Sequence, residues 1–104
     1  MAKYAIMLTL DADTLSKTYT GNNTLRAYTD IEGTLRGYGF SHKQGSVYFG
    51  DEGVDAVHTV IAAQKLSKKY DWFAPSVKDV RMLRIEEDSD LTVAIRFAYL
   101  ESNK

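Results

Sequence analysis

A β-strand is predicted at the start of the chain by alternating side chains. Tyr4, Ile6, Leu8 and Leu10 occupy every second position, so they share one face of an extended segment over residues 3–11. The positions between them are also largely apolar until the far end of the segment. Apolar side chains on both faces are typical of a central strand that is covered on both sides.

A loop and then a helix are predicted next. Residues 12–23 are mostly polar and predict a long loop, and Asn22 or Asn23 at its end can cap a helix. Over residues 24–38, apolar side chains recur at steps of three and four, which predicts a helix with one buried stripe. The stripe consists of Tyr28, Ile31, Leu35 and Tyr38.

Two short strands, a second helix and another strand follow. Residues 40–50 predict two strands around a bend at Gln44-Gly45, because short alternating runs flank the glycine. Residues 53–70 predict the helix, and residues 77–86 predict a strand with apolar side chains on both faces. The buried side of the helix is expected to carry Val54, Val57, Ile61 and Ala62.

Residues 91–100 are compatible with two secondary structures. Their large apolar side chains alternate, as in a strand: Leu91, Val93, Ile95, Phe97 and Tyr99. The same segment also fits a helix that Ser89 would cap. We favour the strand.

This order of elements predicts an α+β fold. Strand, helix, two strands, helix and strand form a ferredoxin-like βαββαβ sandwich, in which two helices cover one face of an antiparallel sheet. The 104 residues make one such domain, with residues 91–104 as a C-terminal tail. The other sheet face is apolar enough to need a partner, so we expect a homodimer through that face.

The amino-acid composition limits the cellular environments and the binding partners that we expect for the chain. It contains no cysteine, which excludes disulfides and thiolate metal sites. No apolar stretch is long enough to span a membrane and the start lacks signal-peptide anatomy, so we expect a cytoplasmic protein. The net charge of −1 argues against tight, indiscriminate binding of nucleic acid.

Three segments carry a resemblance to a known family. They are Ala27-Tyr28-Thr29-Asp30-Ile31, the stretch from Gly39-Phe40 through Gln44-Gly45-Ser46-Val47-Tyr48, and Ser76-Val77-Lys78-Asp79-Val80-Arg81 leading to Arg84-Ile85-Glu86 and Ser89-Asp90. In order and spacing they resemble the virulence-associated protein D (VapD) family, small relatives of the CRISPR-associated ferredoxin-like endoribonucleases. The Gln-Gly-Ser-Val-Tyr run is the most specific part of this resemblance.

The resemblance implies an active site at the end of the first strand. It pairs an aspartate there with Ser46, but Thr9 stands in this sequence where that aspartate is expected. Asp11 follows two residues later, on the same face of the predicted strand. Asp11 is therefore our candidate for a displaced catalytic carboxylate that holds a divalent cation such as Mg²⁺. The alternative is an acid that ends the strand and caps the turn.

Further candidates come from the chemistry of the side chains. His42 enters the predicted hairpin and is a candidate general base near neutral pH, although an exposed structural histidine is the alternative. A local RNA surface, with tyrosine stacking on bases and cations contacting phosphates, is predicted from Tyr48, Lys43, Arg81 and Arg84. The two arginines can equally pair with neighbouring acids such as Asp79 and Glu86.

The sequence thus predicts an endoribonuclease of the VapD type that cleaves single-stranded RNA. In some members of the family the resemblance implies a toxin opposed by an antitoxin protein. The alternative is a catalytically inactive dimer that binds a protein or a nucleic acid, which the replacement of the expected aspartate by Thr9 favours.

Overall fold

The computed structural model describes residues 3–19 and 23–102. The strands are β1 Lys3–Leu10, β2 Phe40–Gln44, β3 Val47–Gly50 and β4 Val77–Ile85. The helices are α1 Ala12–Thr18, α2 Leu25–Arg36, α3 Ala56–Lys69, α4 Phe73–Ser76 and α5 Thr92–Ser102. Within these ranges no helix is long and apolar enough to cross a membrane.

The four strands form one antiparallel sheet in the order β2-β3-β1-β4. The first strand is central, as predicted, and pairs with β3 on one side and with β4 along its whole length on the other. Two long helices, α2 and α3, pack together and against this sheet. The predicted ferredoxin-like α+β fold is therefore confirmed.

The core lies between the sheet and the two long helices. Ile6 and Leu8 of β1 are almost fully buried against Ile31 and Leu35 of α2 and Leu66 of α3. The same cluster includes the aromatic side chains Phe40, Tyr48, Trp72 and Phe73. Burial of large apolar side chains on one sheet face is what holds the two layers together.

The loop predicted over residues 12–23 is wrong in its first part, where α1 forms. Asp11 is the N-cap residue of this helix, and the Thr14 hydroxyl donates a hydrogen bond of 2.7 Å to its carboxylate. Leu15 is the buried residue of α1, while Thr18 bonds to the buried Ser76 hydroxyl at 3.1 Å. A single anchoring leucine gives no periodic pattern, so sequence alone does not reveal such a helix. The proposed cap at Asn22 lies outside the described residues, whereas Asn23 Oδ1 accepts a bond from the Leu25 amide.

The buried faces of the long helices differ from those predicted. Tyr28, Val57 and Ile61 are exposed, at 41%, 69% and 47% of their surface. Thr34 and Thr59 are buried in their helices. Burial of these threonines is tolerated because both hydroxyls form hydrogen bonds. The Thr34 hydroxyl bonds to the Tyr70 hydroxyl at 2.9 Å, and the Thr59 hydroxyl donates to the backbone carbonyl oxygen of Asp55 at 2.8 Å. A prediction based on the spacing of apolar residues misses such threonines, because a threonine is counted as polar even when its hydroxyl is hydrogen bonded inside the protein.

The C-terminal segment is a helix, so the strand that the alternation favoured is wrong. The Thr92 amide donates to Asp90 Oδ1 at 2.8 Å, and the Ile95 amide donates to the Leu91 carbonyl at 3.0 Å. An aspartate at the start satisfies an amide that the first helical turn leaves free. The predicted cap was Ser89, one residue earlier. Every residue from Glu86 to Ser102 is exposed.

The packing of α2 yields a stability prediction. Leu35→Ala removes a fully buried side chain and is expected to lower the free energy of unfolding by about 2–5 kcal/mol, because it leaves a cavity. Leu25→Ala on the same helix is the matched control, since Leu25 is 70% exposed, and should change stability by less than about 0.5 kcal/mol. Urea unfolding measures both. Equal losses in the two variants would contradict the assignment of the buried face.

Candidate active site

The tip of the β2–β3 hairpin meets the end of β1. The Leu8 amide donates a hydrogen bond of 3.0 Å to the Ser46 carbonyl, which places Ser46 beside Leu8 and next to Thr9. Gly45 has a φ of +54°, a conformation that favours glycine in the tight turn before Ser46. Two of the predicted site residues, Ser46 and Thr9, therefore lie at the same end of the sheet.

Asp11 lies beyond the end of β1, at the N-cap position of α1, where its carboxylate accepts a hydrogen bond from the Thr14 hydroxyl. The strand ends at Leu10, and its pairing with β4 is irregular between Thr9 and Leu10. Asp11 follows Leu8 by three positions, about 10 Å if the chain is extended. The alternative of an acid that follows the end of the strand fits the position of Asp11 before α1, and the expectation that Asp11 continues the strand face of Thr9 is wrong. Its side chain nevertheless remains exposed beside the same end of the sheet.

The environment of Asp11 keeps its carboxylate ionised. The hydrogen bond from the Thr14 hydroxyl is the main cause that lowers the pKa of Asp11 below its ordinary value, and the positive charge of Lys78 acts in the same direction. A general base works best when its pKa lies near the working pH. Asp11 is therefore suited to attract a cation or a polar group, and poorly suited to accept a proton at neutral pH.

His42 is held against the hairpin turn that contains Ser46. Its Nε2 lies 2.7 Å from the Gly45 carbonyl oxygen, and its ring centroid lies 4.9 Å from that of Tyr48. A carbonyl only accepts hydrogen bonds, so Nε2 donates, and in the neutral ring Nδ1 is the nitrogen that can take a proton. The structure thus brings His42 and Ser46 together on either side of Gly45.

Tyr48 does not offer its ring to a ligand. Its side chain is 3% exposed and belongs to the core, and burial raises the pKa of its hydroxyl. Base stacking requires an open ring face. The predicted role of Tyr48 in stacking on RNA is therefore wrong for this conformation.

The predicted cationic residues do not form one surface. Arg81 lies opposite Met7 and Arg84 lies opposite Tyr4, an odd number of positions apart, so the two side chains leave β4 on opposite faces of the sheet. Each pairs with a neighbouring acid, Arg81 Nε with Asp79 at 2.9 Å and Arg84 Nε with Glu86 at 3.0 Å. Lys43 lies over the Phe49 ring, with Nζ 5.7 Å from the centroid.

The described part of the chain contains no preformed metal-binding site. Residues 3–19 and 23–102 contain no group of three histidine, aspartate or glutamate side chains close enough to share an ion. Asp11 would supply a single carboxylate. Mg²⁺ commonly binds through one or two carboxylates together with substrate phosphates, so this residue fits that type of site.

Thr14 is a site residue that sequence reasoning missed. Its hydroxyl orients the Asp11 carboxylate and is the main cause of its lowered pKa. The spacing of an N-cap acid and a hydroxyl residue three positions later resembles a capping box, and it is the signal that predicts such a contact.

Comparison with known proteins identifies the family. No family model matches the chain. Endoribonuclease VapD 2 of Riemerella anatipestifer is 52% identical over 92 residues, which cover 88% of this chain and 98% of that protein. The chain belongs to the VapD family. The predicted resemblance to VapD is therefore confirmed.

Two further VapD relatives align over nearly the whole of their length. A VapD homolog of Helicobacter pylori, named an endoribonuclease, is 45% identical over 93 residues, covering 89% of this chain and 96% of the relative. Endoribonuclease VapD of Dichelobacter nodosus is 37% identical over 95 residues, covering 91% of this chain and 99% of the relative. The residues aligned with these two relatives therefore cover about nine-tenths of the present chain.

The cap at Asp11 yields a prediction about pH. Thr14→Val is expected to raise the pKa of Asp11 towards its ordinary value of 3.8, because the main hydrogen bond to the carboxylate is lost. Since the folded-state pKa is lowered, the ionised cap stabilises the wild type above the unfolded-state pKa. This contribution is lost as the pH falls through the folded-state pKa. An NMR titration of the Asp11 carboxyl measures the shift.

Thr9→Val is the matched control for Thr14→Val, because it removes a hydroxyl two positions before Asp11 that is not the donor to it. The control should leave the Asp11 titration in place. An unchanged titration in Thr14→Val would refute the assignment of the Thr14 hydroxyl as the cause.

Proposed function

We propose that this VapD protein is an endoribonuclease that cleaves single-stranded RNA at the tip of its β2–β3 hairpin. The observation that carries the proposal is the position of His42 and Ser46 on either side of Gly45 in the hairpin turn, at the end of the sheet where β1 leads into the ionised Asp11. Support comes from relatives of 37–52% identity that are named endoribonucleases.

The chemistry of such a cleavage needs a base and a group that stabilises negative charge. A base removes the proton of a ribose 2′-hydroxyl or of a water, and the resulting oxygen attacks the adjacent phosphorus. The bond from phosphorus to the 5′-oxygen then breaks, and that oxygen takes up a proton. Negative charge develops on the phosphate oxygens during the attack, so hydrogen-bond donors or cations placed there accelerate the reaction.

The side chains at the hairpin tip fit these two tasks. His42 presents Nδ1 as the proton acceptor while its Nε2 is held by the Gly45 carbonyl. The Ser46 hydroxyl is one residue from this anchor and is placed to donate to a phosphate oxygen. Thr9 lies at the same end of β1, but it is an odd number of positions from Ile6, which shares a face with His42, so its hydroxyl leaves the other face of the sheet.

Asp11 is assigned an electrostatic role. Its ionised carboxylate would bind a divalent cation such as Mg²⁺ together with the substrate phosphate, and this ion would supply positive charge to the developing phosphorane. Thr14 would act as a positioning residue, because it holds the carboxylate through a 2.7 Å hydrogen bond.

The RNA would be held by cationic side chains that form weak ion pairs with neighbouring acids in this structure. Arg81 and its partner Asp79 are both well exposed, and so are Arg84 and Glu86, but the two arginines leave opposite faces of β4, so an RNA strand on one face would contact only one of them. Exposed ion pairs contribute little to stability, so phosphates can replace the acids as partners. Lys43, on the strand of His42, is the cation of this set that lies nearest to the hairpin tip in sequence.

A binding protein without catalytic activity is the second candidate. It is favoured by Thr9, which stands where the family resemblance expects an aspartate, because a hydroxyl cannot carry the charge of a carboxylate. In that case the same surface would bind RNA or a protein and cleave nothing.

The cellular setting is part of the same proposal. We infer that the protein acts in the cytoplasm as a homodimer formed through the open sheet face, as a toxin whose activity an antitoxin protein blocks. Half-buried apolar side chains on that face, Met7, Val47 and Phe49, support the dimer, and the resemblance to VapD supports the pairing with an antitoxin.

Cleavage of an end-labelled single-stranded RNA tests the proposed activity. Asp11→Asn and His42→Ala are each expected to lower the cleavage rate by about 100-fold or more, because each removes a charge or proton-transfer contribution. Ser46→Ala should slow cleavage by a smaller factor. A chelator should reproduce the loss seen in Asp11→Asn, and it should not slow that variant further.

Asp13→Asn is the matched control, since Asp13 is an exposed acid in the first turn of the same helix. It should cleave like the wild type. Full activity in Asp11→Asn would remove Asp11 from the site, and no cleavage by the folded wild type would favour the binding protein. In that case the Thr9→Asp variant is decisive. A gain of RNA cleavage in this variant would show that the wild type is inactive because position 9 lacks a carboxylate.

A further inference from the structure

A closed ring of hydrogen bonds joins α1 to the residue just before β4. The Thr18 hydroxyl donates to the Thr14 carbonyl oxygen at 2.9 Å and lies 3.1 Å from the Ser76 hydroxyl. The Thr14 hydroxyl donates to the Asp11 carboxylate at 2.7 Å, and the Asp11 amide donates to the Ser76 carbonyl oxygen, also at 2.7 Å. Asp11, Thr14, Thr18 and Ser76 thus form a circuit, which we call the Asp11–Ser76 ring.

The direction of the bond between the two hydroxyls follows from the rest of the ring. A hydroxyl has one proton to donate, and that of Thr18 goes to the Thr14 carbonyl, which can only accept. The Ser76 hydroxyl therefore donates to the Thr18 oxygen. Ser76 is fully buried, so removal of this acceptor would leave a buried donor without the partner that it has in the ring.

The helix α1 has little apolar surface to orient it on the domain. Leu15 is the buried residue of this seven-residue helix, and Tyr19 at its end meets the Trp72 ring edge-on, with centroids 5.2 Å apart. Burial of apolar surface is non-directional, whereas hydrogen bonds weaken steeply when their angles change. The Asp11–Ser76 ring is therefore the contact that can fix the rotation of α1.

Ser76 ties this ring to the sheet. It is the last residue of α4, and the next residue, Val77, begins β4 and pairs with Leu10 of β1. The bond between the Asp11 amide and the Ser76 carbonyl comes directly after that pair. The ring thus holds the backbone of Asp11 through Ser76 and its carboxylate through Thr14, both relative to the end of β1.

We propose that Thr18 and Ser76 are positioning residues that set the place and direction of the Asp11 carboxylate. The inference rests on the proposed function, in which Asp11 binds a divalent cation together with the substrate phosphate. Groups that orient a metal ligand without touching the ion typically change metal affinity or activity by about 10–100-fold when they are lost. Thr18 and Ser76 act in this way through α1, and neither contacts the substrate.

A Mg²⁺ titration of the full chain, followed through the NMR signals of the Asp11 carboxyl and amide, tests the proposal without measuring activity. Thr18→Val removes the hydroxyl and is expected to raise the Mg²⁺ dissociation constant by about tenfold or more. Thr18→Ser keeps the hydroxyl and should restore the wild-type constant. Ser76→Ala should match Thr18→Val, and the double variant should bind no more weakly than either, because both substitutions break the same bond.

Thr59→Val is the matched control. The Thr59 hydroxyl donates to the carbonyl of Asp55, four residues earlier in its helix, just as the Thr18 hydroxyl donates to that of Thr14. It lies in α3, outside the ring. The control should leave the Mg²⁺ dissociation constant unchanged even where it lowers the free energy of unfolding.

Hydrogen exchange of the Asp11 amide reports on the ring without a metal ion. This amide bonds to the Ser76 carbonyl, so opening of the ring exposes it to solvent. Thr18→Val is expected to speed its exchange by about tenfold, whereas Thr59→Val should not.

Three results would overturn the proposal, and one of them also overturns the proposed function. Unchanged amide exchange or unchanged Mg²⁺ binding in a folded Thr18→Val chain would show that the ring does not position Asp11, while the cation site itself would stand. An equal loss of Mg²⁺ binding in Thr59→Val would show a general effect of lowered stability. Wild-type Asp11 signals that do not respond to Mg²⁺ would refute the cation site of the proposed function, and the positioning role with it.

Discussion

The pairing of β1 with a strand on each side is the constraint on which the rest of the structure depends. The backbone of β1 pairs with β3 on one side and with β4 on the other. Its alternating side chains Ile6 and Leu8 form the part of the core that belongs to the sheet. A strand register cannot slip by one residue without turning these side chains away from the helices. The hairpin, both long helices and the candidate site are therefore all positioned relative to β1.

The candidate site follows from where β1 stops. The bond between Leu8 and Ser46 holds the hairpin tip at that end of the sheet, and the Gly45 carbonyl holds His42 beside it. At the same end the chain turns into α1, where the hydrogen bond from the Thr14 hydroxyl lowers the pKa of Asp11 and keeps its carboxylate ionised. Groups suited to proton transfer and groups suited to charge stabilisation thus come from three different elements. They lie at the same end of the sheet because strand ends and turns gather there.

The distribution of apolar surface connects the fold with assembly. One sheet face is covered by α2 and α3, whereas Val80 and Met82 of β4 and the large apolar side chains of α5 remain exposed. A domain of about one hundred residues buries only about two-thirds of the surface that its unfolded chain exposes, so contact with a second copy would bury part of the remainder.

Sequence by itself determined the order of strands and long helices, the ferredoxin-like fold, the VapD family and the hairpin around Gly45, because period-two and helical patterns and a glycine turn are local signals. Only the tertiary structure decided the helix at Asp11, the burial of Thr34 and Thr59, and the helical form of α5. It also decided that Tyr48 is buried and that Arg81 and Arg84 leave opposite faces of β4. The burial of Thr34 depends on the distant Tyr70 hydroxyl, whereas the helices that follow Asp11 and Asp90 begin with local hydrogen bonds, which the pattern of apolar residues does not report.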